Sequence, residues 1–306
     1  MKNWSSKMDS FFINGHPAPF NDESARGYLL RIVDINGFKN VENICRKSGT
    51  KFAYKTHVMT QQWEQMLDVF THVLYKQKSP LIMTFKQHWT AKLYAKFDMK
   101  MSKLFSVKSR VCPLCIKSGY ANADWDFAMT TVCTKHTCHL IETCPHCGEP
   151  ISWKRGELDN CPSCEKNYSS APTLPLEKND PLLQLNKSYS KMDREQVEQL
   201  IAACARMYRP QDNMLACPSL HLMSLDEINI LLSQALGLMH SIKFREQYKN
   251  WLDEMRAKFS VISLHGVQEP YRAFAVSYDG KLNNRLADIA FLPPKASKDI
   301  IDKNDI

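Results

Sequence analysis

The sequence predicts a mainly α-helical protein with small metal-stabilised β and loop units, arranged in three parts. Two observations predict it. Amphipathic stretches at helical spacing occupy both ends of the 306 residues. Between them, eight of the eleven cysteines crowd between Cys112 and Cys164, and six of those eight form pairs with two residues between their members. The expected organisation is a basic N-terminal domain over 1–110, a metal-binding region over 111–168, a linker over 169–192 and a C-terminal helical domain over 193–306.

Pro17 and Pro19 keep the segment before residue 20 out of a helix. A first helix is expected from Asp22, a good N-cap residue, with Glu23 well placed for the positive end of the dipole. Its apolar stripe is Ala25, Tyr28, Leu29, Ile32 and Val33, and Asn36-Gly37 should end it. A short helix over Val41 to Lys47 follows, giving the outline of a helix-turn-helix element. A longer helix is expected over Thr60 to Tyr75, with Trp63, Met66, Leu67, Phe70, Val73 and Leu74 on one face. Another, over Phe85 to Phe97, carries Trp89, Leu93 and Phe97.

The net charge of +8 is uneven. Met1 to Val111 has 18 Lys/Arg against 8 Asp/Glu, Cys112 to Tyr168 has 5 against 7, and the remainder has 17 against 17. The densest basic run is Lys86, Lys92, Lys96, Lys100, Lys103, Lys108 and Arg110. A basic domain beside neutral ones fits nucleic-acid or ribonucleoprotein contact, and it fits equally a lysine-rich solvated surface. The candidate nucleic-acid contacts are Arg46, Lys47, Lys92, Lys96, Lys100, Lys103, Lys108 and Arg110.

The cysteine pattern is Cys112-x2-Cys115-x17-Cys133-x2-His136, then Cys144-x2-Cys147-x13-Cys161-x2-Cys164. Two residues between ligands let one tight turn aim both at a single ion, and two such turns complete a tetrahedron. Pro113, Pro145, Pro162 and Gly148 suit those turns. Each half supplies four ligands and leaves no vacant position, so both Zn2+ sites should be structural. Cys138 could replace His136, although its five-residue offset from Cys133 fits a knuckle turn poorly. His146 should be exposed, and Cys45, Cys204 and Cys217 should be ordinary thiols. Trp125 and Phe127 should form the small core of the first site.

Beyond the linker, whose prolines are Pro172, Pro175 and Pro181, three helices are expected. The first, Asp193 to Tyr208, turns Val197, Leu200, Ile201 and Cys204 inward. The second opens with the capping box Ser224–Glu227 and buries Leu225, Ile228, Leu231, Leu232, Ala235 and Leu238. The third buries Phe244, Tyr248, Trp251, Leu252, Met255 and Phe259, and a hairpin is expected over Tyr271 to Phe291, turning at Asp279-Gly280.

No apolar run reaches the roughly 18 residues of a membrane helix, and Met1 to Ser10 lacks a secretory apolar stretch, which reads as a cytoplasmic protein. There is no phosphate-binding G-x4-G-K-[ST], no H-E-x-x-H and no G-x-S-x-G. The chain reads as a non-enzyme without a small-molecule substrate.

Two segments resemble one family. Phe20-Asn-Asp22-Glu23-Ser24-x3-Tyr28-Leu29-x-Arg31, preceded by Pro17-x-Pro19, is similar to the opening of TniQ (TnsD/TniQ) proteins. The metal block is similar to theirs too: Cys112-Pro-x-Cys115, Tyr120, Trp125, Cys133-x2-His136 with Leu140, then Cys144-Pro-x-Cys147-Gly148. The resemblance implies a target-selection subunit of a Tn-seven-like transposon, with a helix-turn-helix domain and zinc-ribbon or zinc-finger units. Such proteins link target recognition to the AAA+ ATPase TnsC. Long members read DNA themselves; short members ride on a CRISPR Cascade complex, where guide RNA reads the target, and dimerise head to tail. With only about 140 residues beyond the metal region, this chain is closer to the short kind. An autonomous sequence-specific DNA binder or a zinc-finger transcription regulator is the alternative.

Overall fold

The computed structural model describes residues 15, 17–47, 51, 62–63, 65–67, 81–96, 104–173, 175–208 and 219–258. The chain divides into two compact units, Met1–Pro175 and Leu176–Ile306. The two segments expected as separate N-terminal and metal-binding domains therefore lie within one unit.

In the first unit, helix α1 spans Ala25–Ile35 and is buried from Ala25 to Val33. Its N-cap is Ser24, whose Oγ accepts from Gly27 N at 2.9 Å, and not Asp22 as expected. Both types cap well, so their other partners decide. Asp22 is held by the metal-binding segment: its Oδ2 accepts from Asn122 Nδ2 (3.1 Å) and its carbonyl from Ala123 N (2.8 Å). Glu23 is buried against Arg31, Oε2 to Nη2 at 2.6 Å. Gly37, at φ +65°, ends the helix region as expected. Helix α2, Val41–Lys47, packs Val41, Ile44 and Cys45 inward. Of the helix expected over Thr60 to Tyr75, Trp63, Met66 and Leu67 are helical and buried, with Cys45 Sγ 3.9 Å from Met66 Sδ. Phe70, Val73 and Leu74 lie outside the described residues.

The single helix expected over Phe85 to Phe97 is two: α3, Leu81–Gln87, and α4, Trp89–Lys96. His88 makes the break. Its Nδ1 lies 2.8 Å from Thr90 Oγ1 and accepts from Thr90 N at 3.3 Å, so its ring serves the start of α4. Helix α5, Pro113–Lys117, and a 3-10 turn, Ala123–Asp126, follow. Strands β1, Val132–Cys133, and β2, Cys138–His139, pair antiparallel with Cys133 opposite Cys138.

These pieces form a common core. Phe127 lies edge-on to Trp89 at 5.4 Å and to Phe105 at 6.1 Å, so Trp125 and Phe127 bury against α4 rather than forming a core of the first cysteine cluster alone. Ser24 N donates to Ala121 O at 2.8 Å and Leu158 N to Asp34 Oδ2 at 3.2 Å. Residues 104–173 thus wrap both ends of α1.

The second unit is helical among its described residues. Helix α6, Pro181–Ser188, occupies part of the expected linker. Proline at the first helical position is favourable because its missing N–H would have had no partner there. Asp180 caps it, Oδ1 accepting from Leu183 N at 3.0 Å. Helix α7, Arg194–Tyr208, turns Val197, Leu200, Ile201 and Cys204 inward as expected. Helix α8, Leu225–His240, has the expected capping box of Ser224 and Glu227. Helix α9, Ile242–Lys258, buries Phe244, Tyr248, Trp251 and Leu252. α8 packs against α6, α7 and α9. Phe259, Cys217 and the hairpin expected over Tyr271 to Phe291 lie outside the described residues, as does the side chain of Met255. No helix among the described residues is long and apolar enough to cross a membrane.

Candidate metal centre

The first cluster is assembled by three local devices. Cys112 is the N-cap residue of α5 and Pro113 starts the helix, so Cys115 falls one turn on, beside Cys112. Cys133 ends β1, and the chain turns through His136, whose N donates to Cys133 Sγ at 3.4 Å. Thr137, at φ +49°, then leads back into β2. His136 Nδ1 lies 3.5 Å from Cys112 Sγ, 3.2 Å from Cys115 Sγ and 3.7 Å from Cys133 Sγ, and Cys115 Sγ is 3.7 Å from Cys133 Sγ.

The second cluster is two copies of one turn. Cys144 N donates to Glu149 O (2.8 Å), and Gly148 N to Cys144 O (2.9 Å). Likewise Cys161 N donates to Lys166 O (3.0 Å), and Glu165 N to Cys161 O (2.8 Å). The fourth residue after each first cysteine is left-handed, Gly148 at φ +76° and Glu165 at φ +59°. Glycine takes that conformation without cost, whereas glutamate is held there by its turn. Cys144 and Cys164 are 3.7 Å apart, as are Cys147 and Cys161.

These distances test the fit to an ion. Metal–sulfur bonds of about 2.3 Å at tetrahedral angles separate sulfurs by about 3.8 Å, and a sulfur from an imidazole nitrogen by about 3.6 Å. Both clusters match those edges. A disulfide would need about 2.05 Å, and none of these cysteines is so bonded. Cys112, Cys115, Cys133 and His136 form one group, and Cys144, Cys147, Cys161 and Cys164 another, each with all donor atoms within 4.8 Å. The two groups can hold two metal ions. They differ in enclosure: Cys112, Cys115 and Cys133 are buried, whereas Cys147 is exposed and Cys164 half-exposed.

Residues 15–140 match the family model for TniQ. This part of the chain belongs to the TniQ family. The match takes in α1 to α4, the first metal cluster and β2, and stops short of Cys144, so the second cluster and the helical unit lie beyond the matched TniQ stretch. No curated protein matches the chain.

The basic residues fare unequally. Arg46 is exposed on α2 and Lys92 on α4. Lys108 is partly exposed, its Nζ 3.9 Å from Glu142 Oε1. Arg110 is a correction: it is fully buried, Nη1 donating to Ala128 O (2.6 Å) and Thr130 O (3.3 Å), so it tethers the loop before β1 and does not reach a partner's surface. The side chains of Lys47 and Lys96, and all of Lys100 and Lys103, lie outside the described residues. His146 is exposed as expected, Nε2 2.7 Å from Ser170 Oγ.

One feature beyond the TniQ stretch escaped the sequence reading. Arg155 is buried between the rings of Trp153 and Tyr168, and donates to Leu158 O, Ser109 Oγ and Ser152 O. Burial lowers its pKa to about 10, still far above neutrality. Cys138, weighed from the sequence as an alternative to His136, is brought by the β1–β2 pairing to 3.6 Å from Cys112 Sγ.

Proposed function

We propose that this chain is a target-selection adaptor in DNA transposition, joining a guide-RNA Cascade complex to the AAA+ regulator TnsC, and that it works as a homodimer in the cytoplasm. The TniQ match over residues 15–140 is the observation that carries the reading, since that domain implies a transposition-associated role in target selection. The donor sets support two structural Zn2+ ions. Three thiolates with one imidazole, and four thiolates, are the soft tetrahedral sets that zinc prefers. Four protein donors per ion leave no position for a reacting water, which suits a scaffold rather than an enzyme. The excess of 18 basic over 8 acidic residues before Cys112 suits a ribonucleoprotein partner.

A second reading, autonomous recognition of DNA through a helix-turn-helix, is favoured by exposed Arg46 on α2. Binding measurements separate the two. The adaptor should co-elute with purified Cascade and bind TnsC, with no sequence preference for naked duplex. Sequence-specific duplex binding by the chain alone, weakening steeply with salt, would replace the adaptor by the direct reader.

A further inference from the structure

A further thiol lies against the first centre, beside the four grouped donors Cys112, Cys115, Cys133 and His136. Cys138 is 1% exposed. Cys112 Sγ is 3.6 Å from Cys138 Sγ, close to the tetrahedral sulfur–sulfur edge of about 3.8 Å. The placement is built by the fold. Cys138 stands directly across the β1–β2 pair from the ligand Cys133, and a second backbone bridge joins it to Pro175. Leu140 N, just beyond, donates to Thr131 O at 3.0 Å. The hairpin therefore presents Cys138 on the inner side of the cluster. His136 is half-exposed and sits in the turn between the strands. A buried cysteine ordinarily packs as a small apolar group among apolar neighbours; this one abuts a ligand thiol.

We propose that Cys138 is a reserve ligand of the first centre, completing a four-thiolate set with Cys112, Cys115 and Cys133 when His136 lets go. Zinc accepts three thiolates with one imidazole or four thiolates with the same tetrahedral geometry. The second cluster already uses the four-thiolate set. Exchange at one corner would let the turn holding His136 move without surrendering the ion, and so without unfolding residues around it. This inference is independent of the transposition reading.

The test uses the full-length chain, stripped of metal and reloaded with Co2+. The readouts are metal per chain and the thiolate-to-cobalt charge-transfer absorption, which grows with the number of cobalt–sulfur bonds. The unaltered chain should hold two ions through the three cysteines of one group and the four of the other. His136→Gln should still hold two, with charge-transfer absorption increased by one thiolate. His136→Gln/Cys138→Ser should hold one ion, and Cys138→Ser alone should match the unaltered chain. Loss of an ion from His136→Gln overturns the proposal. So does retention with unchanged absorption, which would mean that water fills the corner. Two ions in the double variant overturn it as well. His136→Asn guards against poor packing of the larger amide. Failure of both single variants to fold with metal counts against the proposal, because the reserve ligand would have failed to hold the ion.

Discussion

Arg26 and Asp126, 100 residues apart in sequence, form a buried ion pair with Nη1 3.0 Å from Oδ1. The same Nη1 donates to Ser106 O at 2.8 Å. Burial raises the pKa of the carboxyl and lowers that of the guanidinium, with the partner opposing the shift in each case. The pair therefore locks the first turn of α1 to the 3-10 turn that lies between the two ligand pairs of the first metal cluster. It joins the opening of the TniQ domain to its metal-binding part.

Asp126→Ala should strand the Arg26 charge in the interior. Removing one partner of a buried pair costs about 3–5 kcal/mol, whereas replacing both with apolar side chains of similar volume is near neutral. Thermal denaturation should show a large loss for Asp126→Ala and a much smaller one for Arg26→Met/Asp126→Leu. Equal losses in the two variants would mean that packing around the pair, and not its charge, holds α1 in place.

Gly27→Ala sets two effects against each other. Alanine favours a helix interior over glycine by about 1 kcal/mol. At this position, however, a Cβ would lie 2.6 Å from Ala121 Cβ and 3.2 Å from Ala121 O. Ala121 cannot retreat easily, since its carbonyl accepts from Ser24 N. Overpacking of this kind costs about 1–3 kcal/mol, so the substitution should be destabilising by up to about 2 kcal/mol. Urea denaturation checks the sign; a stabilised variant would show that the Ala121 segment gives way.

Much of this was legible in the sequence, and the exceptions have physical reasons. Ligand spacing alone picked out the eight side chains that the fold gathers into two clusters, because the knuckle turn is a local structure. The inward faces of α7 and α8 followed from helical periodicity. Arg110 was misjudged because its environment is made by distant pairing: it folds onto carbonyls 18 and 20 residues ahead. The cap of α1 was misplaced for the same reason, Asp22 being engaged by Asn122. His88 split a helix through a ring hydrogen bond that periodicity does not register.

Ser224→Ala should weaken the second unit alone. It removes the Oγ that accepts from Glu227 N at 3.2 Å, leaving the reciprocal bond from Ser224 N to Glu227 Oε2 without its pair. An N-cap serine is worth about 1 kcal/mol. Helical signal followed against urea should shift by that amount, while metal content remains at two ions per chain. Loss of metal in this variant would mean that the helical unit supports the clusters.

A chelator should empty the two centres in a fixed order. Stripping a closed site requires a competing ligand to reach the ion as one thiolate leaves. In the second cluster Cys147 is exposed and Cys164 half-exposed, so a chelator can attack from that side. In the first, the three cysteines are at most 3% exposed and only His136 faces outward. Metal release into EDTA should therefore be biphasic, with the fast phase from the second cluster. Cys147→Ser should abolish the fast phase, and Cys115→Ser the slow one. Because ligand energy is folding energy in such sites, the fast phase should loosen the segment around Trp153 and Tyr168 while Trp125 keeps its buried fluorescence. A single phase, or loss of the Trp125 signal first, would mean that the two clusters open together and that exposure at Cys147 does not control access to the ion.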